Sequence, residues 1–244
     1  MVKGIVHSVE TLGTRDGPGL RCVFFLSGCN FRCKFCQNPD TWTKKWSRKV
    51  SLEEAKEHLL RLYPYISKKG GGVTVSGGEP SLQADFVTGL FKLAHSLKLS
   101  TVLDTNGSCP PGKTAELLRE TDIVLLDIKA STDKLHRKIT GKPLKPVLKF
   151  LLEAGKSGAR PVIRRVLLPG VNDSRLELER LASFAAMLPK KPEIELIPYH
   201  RLGEHKWKEL GKKYPYKGLR TPTAKEWERA AKLLKENGLK IFMG

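Results

Sequence analysis

No stretch of this 244-residue chain approaches the ~20 apolar residues that a membrane-spanning helix requires. Its first residues, Met1 to His7, hold no long apolar segment of the kind that directs secretion. Cysteine is scarce. There are five, an odd number with three inside eight residues, which argues against a disulfide framework and for a reducing cytoplasm. Repeats, linkers and low-complexity tracts are missing too. Residues 1–244 therefore read as one domain, long enough to bury a sizeable core.

Acid is the other deficit. Asp and Glu number 25 against 44 Lys and Arg, a net charge of +19. The excess falls in small groups: Lys44, Lys45, Arg48 and Lys49; Lys68 and Lys69; Lys134, Arg137 and Lys138; Lys206, Lys208, Lys212, Lys213 and Lys217. A nucleic-acid surface is one reading, but no known binding motif accompanies the charge and aromatics are only 7%. A solvated lysine-rich surface that also docks acidic proteins is favoured.

The chain alternates strand and helix. Residues 2–9 read as a short strand, and 21–26 form an apolar run typical of a buried parallel strand. Ser51 and Glu54 make a capping box for a helix expected to end at Pro64. Strands follow at 73–76, 100–104, 123–128, 161–168 and 193–197. Helices are expected near 82–97, 112–120, 132–157 (one or two), 174–187 and 224–236, with a short last strand at 240–242. Six such units give an α/β fold with a parallel sheet, too few to close a full eight-unit barrel; the expectation is a partial, open (β/α)6 barrel.

The chemistry centres on Cys29-Asn30-Phe31-Arg32-Cys33-Lys34-Phe35-Cys36, a C-x3-C-x2-C spacing. Three thiolates meet in one loop. Structural zinc wants four closing ligands, and Cys22 and Cys109 are single and distant. A [4Fe–4S] cluster held by three cysteines keeps one iron open for a substrate. An open iron beside a sulfonium suits reductive cleavage of S-adenosylmethionine, and Phe35 is placed to pack beside the adenine.

Polar residues mark the C-terminal ends of the other strands. Gly77 and Gly78 permit a close backbone approach, and Glu79 offers acceptors to an ammonium group; alone, the segment is equally a strand-to-helix turn. Asp104 and Asp127 at one mouth call for protons or a cation between them, although acids there also cap helices. Arg164, inside an apolar strand, suits a carboxylate ligand or a salt bridge to Asp104 or Asp127. His200 and Asp16 lie in loops where structural roles compete with ligand contact.

These motifs together resemble the radical S-adenosylmethionine family, and within it the compact activating enzymes of glycyl radical enzymes. The carriers are His7-Ser8, Gly13 to Gly19, Ser76 to Glu79, Leu103 to Gly107, Leu126 to Lys129 and Ile197 to His200. The resemblance implies catalysis through Cys29, Cys33 and Cys36 holding a [4Fe–4S] cluster. It also implies contacts to S-adenosylmethionine from Phe35, Cys36, Gln37, Gly77, Gly78, Glu79, Asp104, Asp127, Lys129, Arg164 and His200. A monovalent cation (Na+ or K+) would sit on Asp104, Thr105, Leu125 and Asp127, and Asp16 would meet a peptide of the partner. The partner implied is a glycyl radical enzyme of the pyruvate formate-lyase type, since no cysteines remain for the second cluster of larger relatives. An acidic flavodoxin or ferredoxin would supply electrons to a cytoplasmic, oxygen-sensitive monomer. Gln37 stands where the resemblance leads one to expect histidine, and Arg165 where an aromatic is expected. A radical enzyme acting on a small molecule is the rival reading.

Overall fold

The computed structural model describes residues 2–68 and 70–242. Nine strands form one sheet: β1 (Lys3–Gly13), β2 (Arg21–Leu26), β3 (Arg48–Ser51), β4 (Gly72–Gly77), β5 (Ser100–Thr105), β6 (Ile123–Asp127), β7 (Arg160–Leu167), β8 (Glu193–Pro198) and β9 (Lys240–Ile241). Their spatial order is β3-β1-β2-β4-β5-β6-β7-β8-β9. From β2 through β9 every pairing is parallel, and the two ends of the sheet do not meet. The result is the expected open barrel.

Helices cross over between the parallel strands: α1 (Leu52–Ile66), α2 (Ala84–Ser96), α3 (Thr114–Arg119), α4 (Asp133–Thr140), α5 (Lys145–Lys156), α6 (Arg175–Ala185), α7 (Glu204–Glu209) and α8 (Ala224–Glu236). None of the described helices is long and apolar enough to cross a membrane. The strands are buried on both faces. Val73, Val75, Leu103, Val124, Leu126, Ile163 and Ile194 face the helices in the main core. Val102, Ile123, Leu125, Val162 and Phe242 fill the barrel floor. Each such side chain contributes about 1.5–3 kcal/mol by leaving water. The two faces explain why these segments read as continuous apolar runs rather than alternating ones.

Arg21 closes the bottom of the barrel. It is fully buried and donates from its three nitrogens to Thr74 Oγ1, Pro18 O, Gly70 O, Val73 O, and the hydroxyl and carbonyl of Ser100. One planar guanidinium thereby ties the loop before β2 to the first residues of β4 and β5.

Four local features differ from expectation. β1 runs on to Gly13 and is antiparallel to β2. The short, polar Arg48–Ser51 joins it as an outer edge strand. α7 was hidden in a charged stretch. α1 passes through Pro64 to Ile66. The proline forfeits one bond, to the carbonyl of the exposed Leu60, where water can replace it, while fully buried Ile66 anchors the final turn.

Candidate active site

The C-terminal ends of the parallel strands open onto a cavity of about 360 Å3. Cys29, Cys33 and Cys36 line it from the loop after β2, all three free and half-buried. Their loop is held on several sides. Arg32 N and Lys34 N donate to Thr140 O and Ile139 O at the end of α4, at 2.8 and 2.9 Å. Trp207 of α7 donates Nε1 to Cys36 O at 2.9 Å. Gln37 donates to His200 O at 2.8 Å and accepts from Gly203 N at 2.7 Å, so its amide clamps the cysteine loop to the segment after β8.

Burial pushes the three thiols up to about 12. Thiols so placed stay protonated until the positive charge of a metal centre compensates the thiolate. Among the described residues no three His, Cys, Asp or Glu side chains converge on a single-ion site. Three cysteine thiols lining one cavity are a donor set that fits a [4Fe–4S] cluster with one iron left open.

The glycines after β4 are used in a way the sequence did not reveal. Gly77 has φ +108°, and a Cβ there would meet Leu26 N at 2.4 Å; one on Gly78 would meet Gly28 O at 2.2 Å. Both line the cavity, but the close approach they permit is to the chain's own cysteine loop. Glu79 follows these glycines. It is fully buried and does not line the cavity. One carboxylate oxygen accepts from Ser81 N (2.9 Å) and Thr105 Oγ1 (2.6 Å), the other from Asn106 N (2.7 Å). These three bonds fasten the β4 loop to the end of β5 and leave one acceptor site on Oε2.

Asp104, the penultimate residue of β5, accepts on Oδ2 from Ser76 Oγ at 2.7 Å, with Arg164 Nη1 3.1 Å away. Its Oδ1 is buried without a partner. Asp127 pairs with Lys129 at 2.5 Å, and Lys129 Nζ also sits 5.4 Å over the Phe35 ring. Burial works against the Lys129 charge, but Asp127 and the neighbouring acids outweigh it and hold its pKa above the usual lysine value. Arg164 behaves alike: burial lowers it, while Asp104, Glu195, Asp127 and Asp16 hold it firmly charged. Thr105 turns its hydroxyl to Glu79 and accepts from Gly107 N. Leu125 pairs in register with Asp104, its side chain in the barrel floor. His200 lines the cavity beside Pro198 and Tyr199. Asp16 lines it too, and burial, then Asp104, pushes its carboxyl up to about 6.

A family model described as the radical SAM superfamily matches residues 23–182, well over half of the chain. The chain belongs to the radical SAM superfamily. Among curated relatives, the pyruvate formate-lyase-activating enzyme of Staphylococcus epidermidis is 41% identical over 245 residues and covers 98% of both chains. The enzyme of that name from Staphylococcus aureus is 42% identical over 229 residues, 91% of both. The chain is therefore in the same branch of the radical SAM superfamily as these proteins. A solved domain of a pyruvate-formate lyase-activating enzyme from Bacteroides vulgatus superposes with a TM-score of 0.60 at 27% identity, over 72% of this chain and 99% of that one. A radical SAM methyltransferase from Sphaerobacter thermophilus shares the fold, with a TM-score of 0.68 at 18% identity over 91% of this chain and 65% of that one. Membership of the radical SAM superfamily implies a [4Fe–4S] cluster and S-adenosylmethionine.

Asn106 and Tyr199 lie in motifs read from the sequence but were given no role of their own there, and Glu195 escaped that reading. Asn106 donates Nδ2 toward Cys29 Sγ at 3.7 Å. Glu195 pairs with Arg164 Nε at 2.7 Å. Tyr199, fully buried, bonds Tyr214 hydroxyl to hydroxyl at 2.8 Å behind the cavity wall. The one available signal was the alternation Glu193-Ile194-Glu195-Leu196 in β8, which puts an acid on the barrel interior.

Proposed function

We propose that this radical SAM protein activates a glycyl radical enzyme of the pyruvate formate-lyase type. It would do so by taking hydrogen from a glycine of that partner. The observation that carries the reading is the meeting, in one cavity, of three free thiols with Gly77–Gly78, Asp104, Asp127–Lys129 and Arg164. The near-full-length likeness to activating enzymes supports the choice of partner.

When bound at Cys29, Cys33 and Cys36, a [4Fe–4S] cluster supplies the electron that cleaves S-adenosylmethionine and yields the deoxyadenosyl radical. The rest of the work is positioning, which is where such a site contributes most. Lys129 and Arg164 present positive charge to the carboxylate of S-adenosylmethionine. The Gly77–Gly78 backbone borders its ammonium group, and Phe35 and His200 flank the adenine. Gln37 and Glu79 hold the loops that carry these groups. The unpartnered Asp104 Oδ1, with Asp127 and the Leu125 carbonyl, suits a sodium or potassium ion. Thr105 would join only after turning from Glu79. Asp16 faces the partner's glycine loop. The protein works as a single-domain monomer in the cytoplasm and takes electrons from an acidic flavodoxin or ferredoxin.

Anaerobic reconstitution with iron and sulfide tests the core of this reading. The intact chain should turn brown, bind about four irons and release deoxyadenosine from S-adenosylmethionine under dithionite. Cys36→Ala should do none of the three. Deoxyadenosine formed by Cys36→Ala would overturn the assignment.

A further inference from the structure

The excess positive charge is not spread evenly. Residues 30–49 and 201–220 hold thirteen Lys and Arg against three Asp and Glu, a net +10 of the molecule's +19. The fold bolts these two segments together. Lys206 Nζ bonds Asn38 Oδ1 at 2.8 Å and pairs with Asp40 at 3.0 Å. Gly203 N bonds Gln37, and Trp207 bonds the carbonyl of Cys36. Trp42 and Trp207 meet edge-to-face at 5.1 Å, and Arg32 lies over the Trp42 ring at 5.0 Å.

One basic surface therefore backs directly onto the outside of the cysteine loop. Arg201, Lys208, Lys212, Lys213 and Lys217 are exposed on it, and among the described residues none of the four lysines has a carboxylate partner. Leu202, 77% exposed, gives it an apolar centre next to Gly203. An apolar spot inside a charged rim is the anatomy of a transient docking surface. The position selects the occupant. α7 covers the cysteine loop from outside, one hydrogen bond from Cys36, and its partners Asn38 and Trp42 stand at the rim of the cavity. A partner held on α7 by its negative charge sits one hydrogen bond from Cys36, a direct route for an electron into the cysteine loop.

We infer that the surface formed by residues 30–49 and 201–220 docks the reductant: a small acidic protein carrying an exposed one-electron cofactor. This rests on the radical SAM activase reading and adds where the donor binds. One electron leaves the donor's cofactor, which is oxidised by one, and the cluster site is reduced by one.

The test uses the reconstituted full chain and an acidic flavodoxin as probe. Reversing Lys208, Lys212, Lys213 and Lys217 to Glu should weaken flavodoxin binding at low salt at least tenfold and flatten its salt dependence. Reversing Lys190, Lys191, Lys235 and Lys240, exposed at the opposite end of the barrel, makes the same change in net charge. That control should shift binding less than twofold. Deoxyadenosine formation driven by dithionite should be unchanged in both variants, which shows that they are folded and that the activase reading stands independently. Equal losses in the two variants, or no loss in the first, would overturn the inference. So would an effect confined to the binding of pyruvate formate-lyase or of an RNA oligonucleotide.

Discussion

Among single residues, Glu79 shows best how far the chain can be read before it folds. An acid after Ser76-Gly77-Gly78 is equally suited to a ligand's ammonium or to nearby N–H groups, and no spacing rule separates the two. In the structure three donors of the chain itself, Ser81 N, Thr105 Oγ1 and Asn106 N, point at it. Glu79→Ala leaves three buried donors unpaired and should cost about 3 kcal/mol, at roughly 1–3 kcal/mol for each orphaned group with incomplete additivity. Urea unfolding of the cofactor-free chain measures it. The cysteines are the opposite case, since C-x3-C-x2-C is specific enough to name the chemistry unaided. Asp16 yields a pH prediction. Its carboxyl is raised from 3.8 to about 6, chiefly by burial. Below pH ~4 it is protonated in both states and its contribution to stability is complete. Between about pH 4 and 6 the unfolded chain ionises first, and that contribution is lost. Asp16→Asn should be flatter over this window and more stable at pH 7 by on the order of 2 kcal/mol. Urea unfolding at pH 4, 5, 6 and 7 checks the sign.

Among elements, the parallel strands were legible because burial on both faces leaves apolar runs that polar residues end. Helix α1 was legible from its start, the capping box of Ser51 with Glu54; α8 carries one as well, Thr223 with Glu226, which the sequence reading did not use. β3 and α7 were not. Arg48–Ser51 has one fully buried residue, Val50, and Glu204–Glu209 has one, Trp207, so neither offers a periodicity to detect. α7 is nonetheless the element that holds the cysteine loop from outside. Trp207→Ala removes its bond to Cys36 and its packing on Trp42 and Tyr214. The expected loss is about 3–5 kcal/mol, together with faster loss of iron from the reconstituted protein, followed by its absorbance under a chelator. Trp207→Phe, which keeps most of the packing, should retain more iron than the alanine variant.

For the whole molecule, six strand–helix units could be counted in the sequence, and their number predicted a barrel that fails to close. The antiparallel β1 and its edge strand could not be, because nothing local distinguishes a strand that joins the parallel series from one that flanks it. Where the cavity lies followed from the fold, since such barrels work at the C-terminal ends of their strands. The charge pattern took on meaning only after folding, when two basic segments 150 residues apart met behind the cysteine loop. The central claim is that this assembly takes hydrogen from a glycine of a partner protein. Electron paramagnetic resonance tests it most directly. The anaerobically reconstituted and reduced chain is mixed with S-adenosylmethionine and pyruvate formate-lyase, and the partner's spectrum is recorded. A glycyl radical doublet, absent when Cys36→Ala replaces the intact chain, is the predicted result. Deoxyadenosine produced without that doublet would contradict pyruvate formate-lyase as the partner and return the choice to another glycyl radical enzyme or a small-molecule substrate.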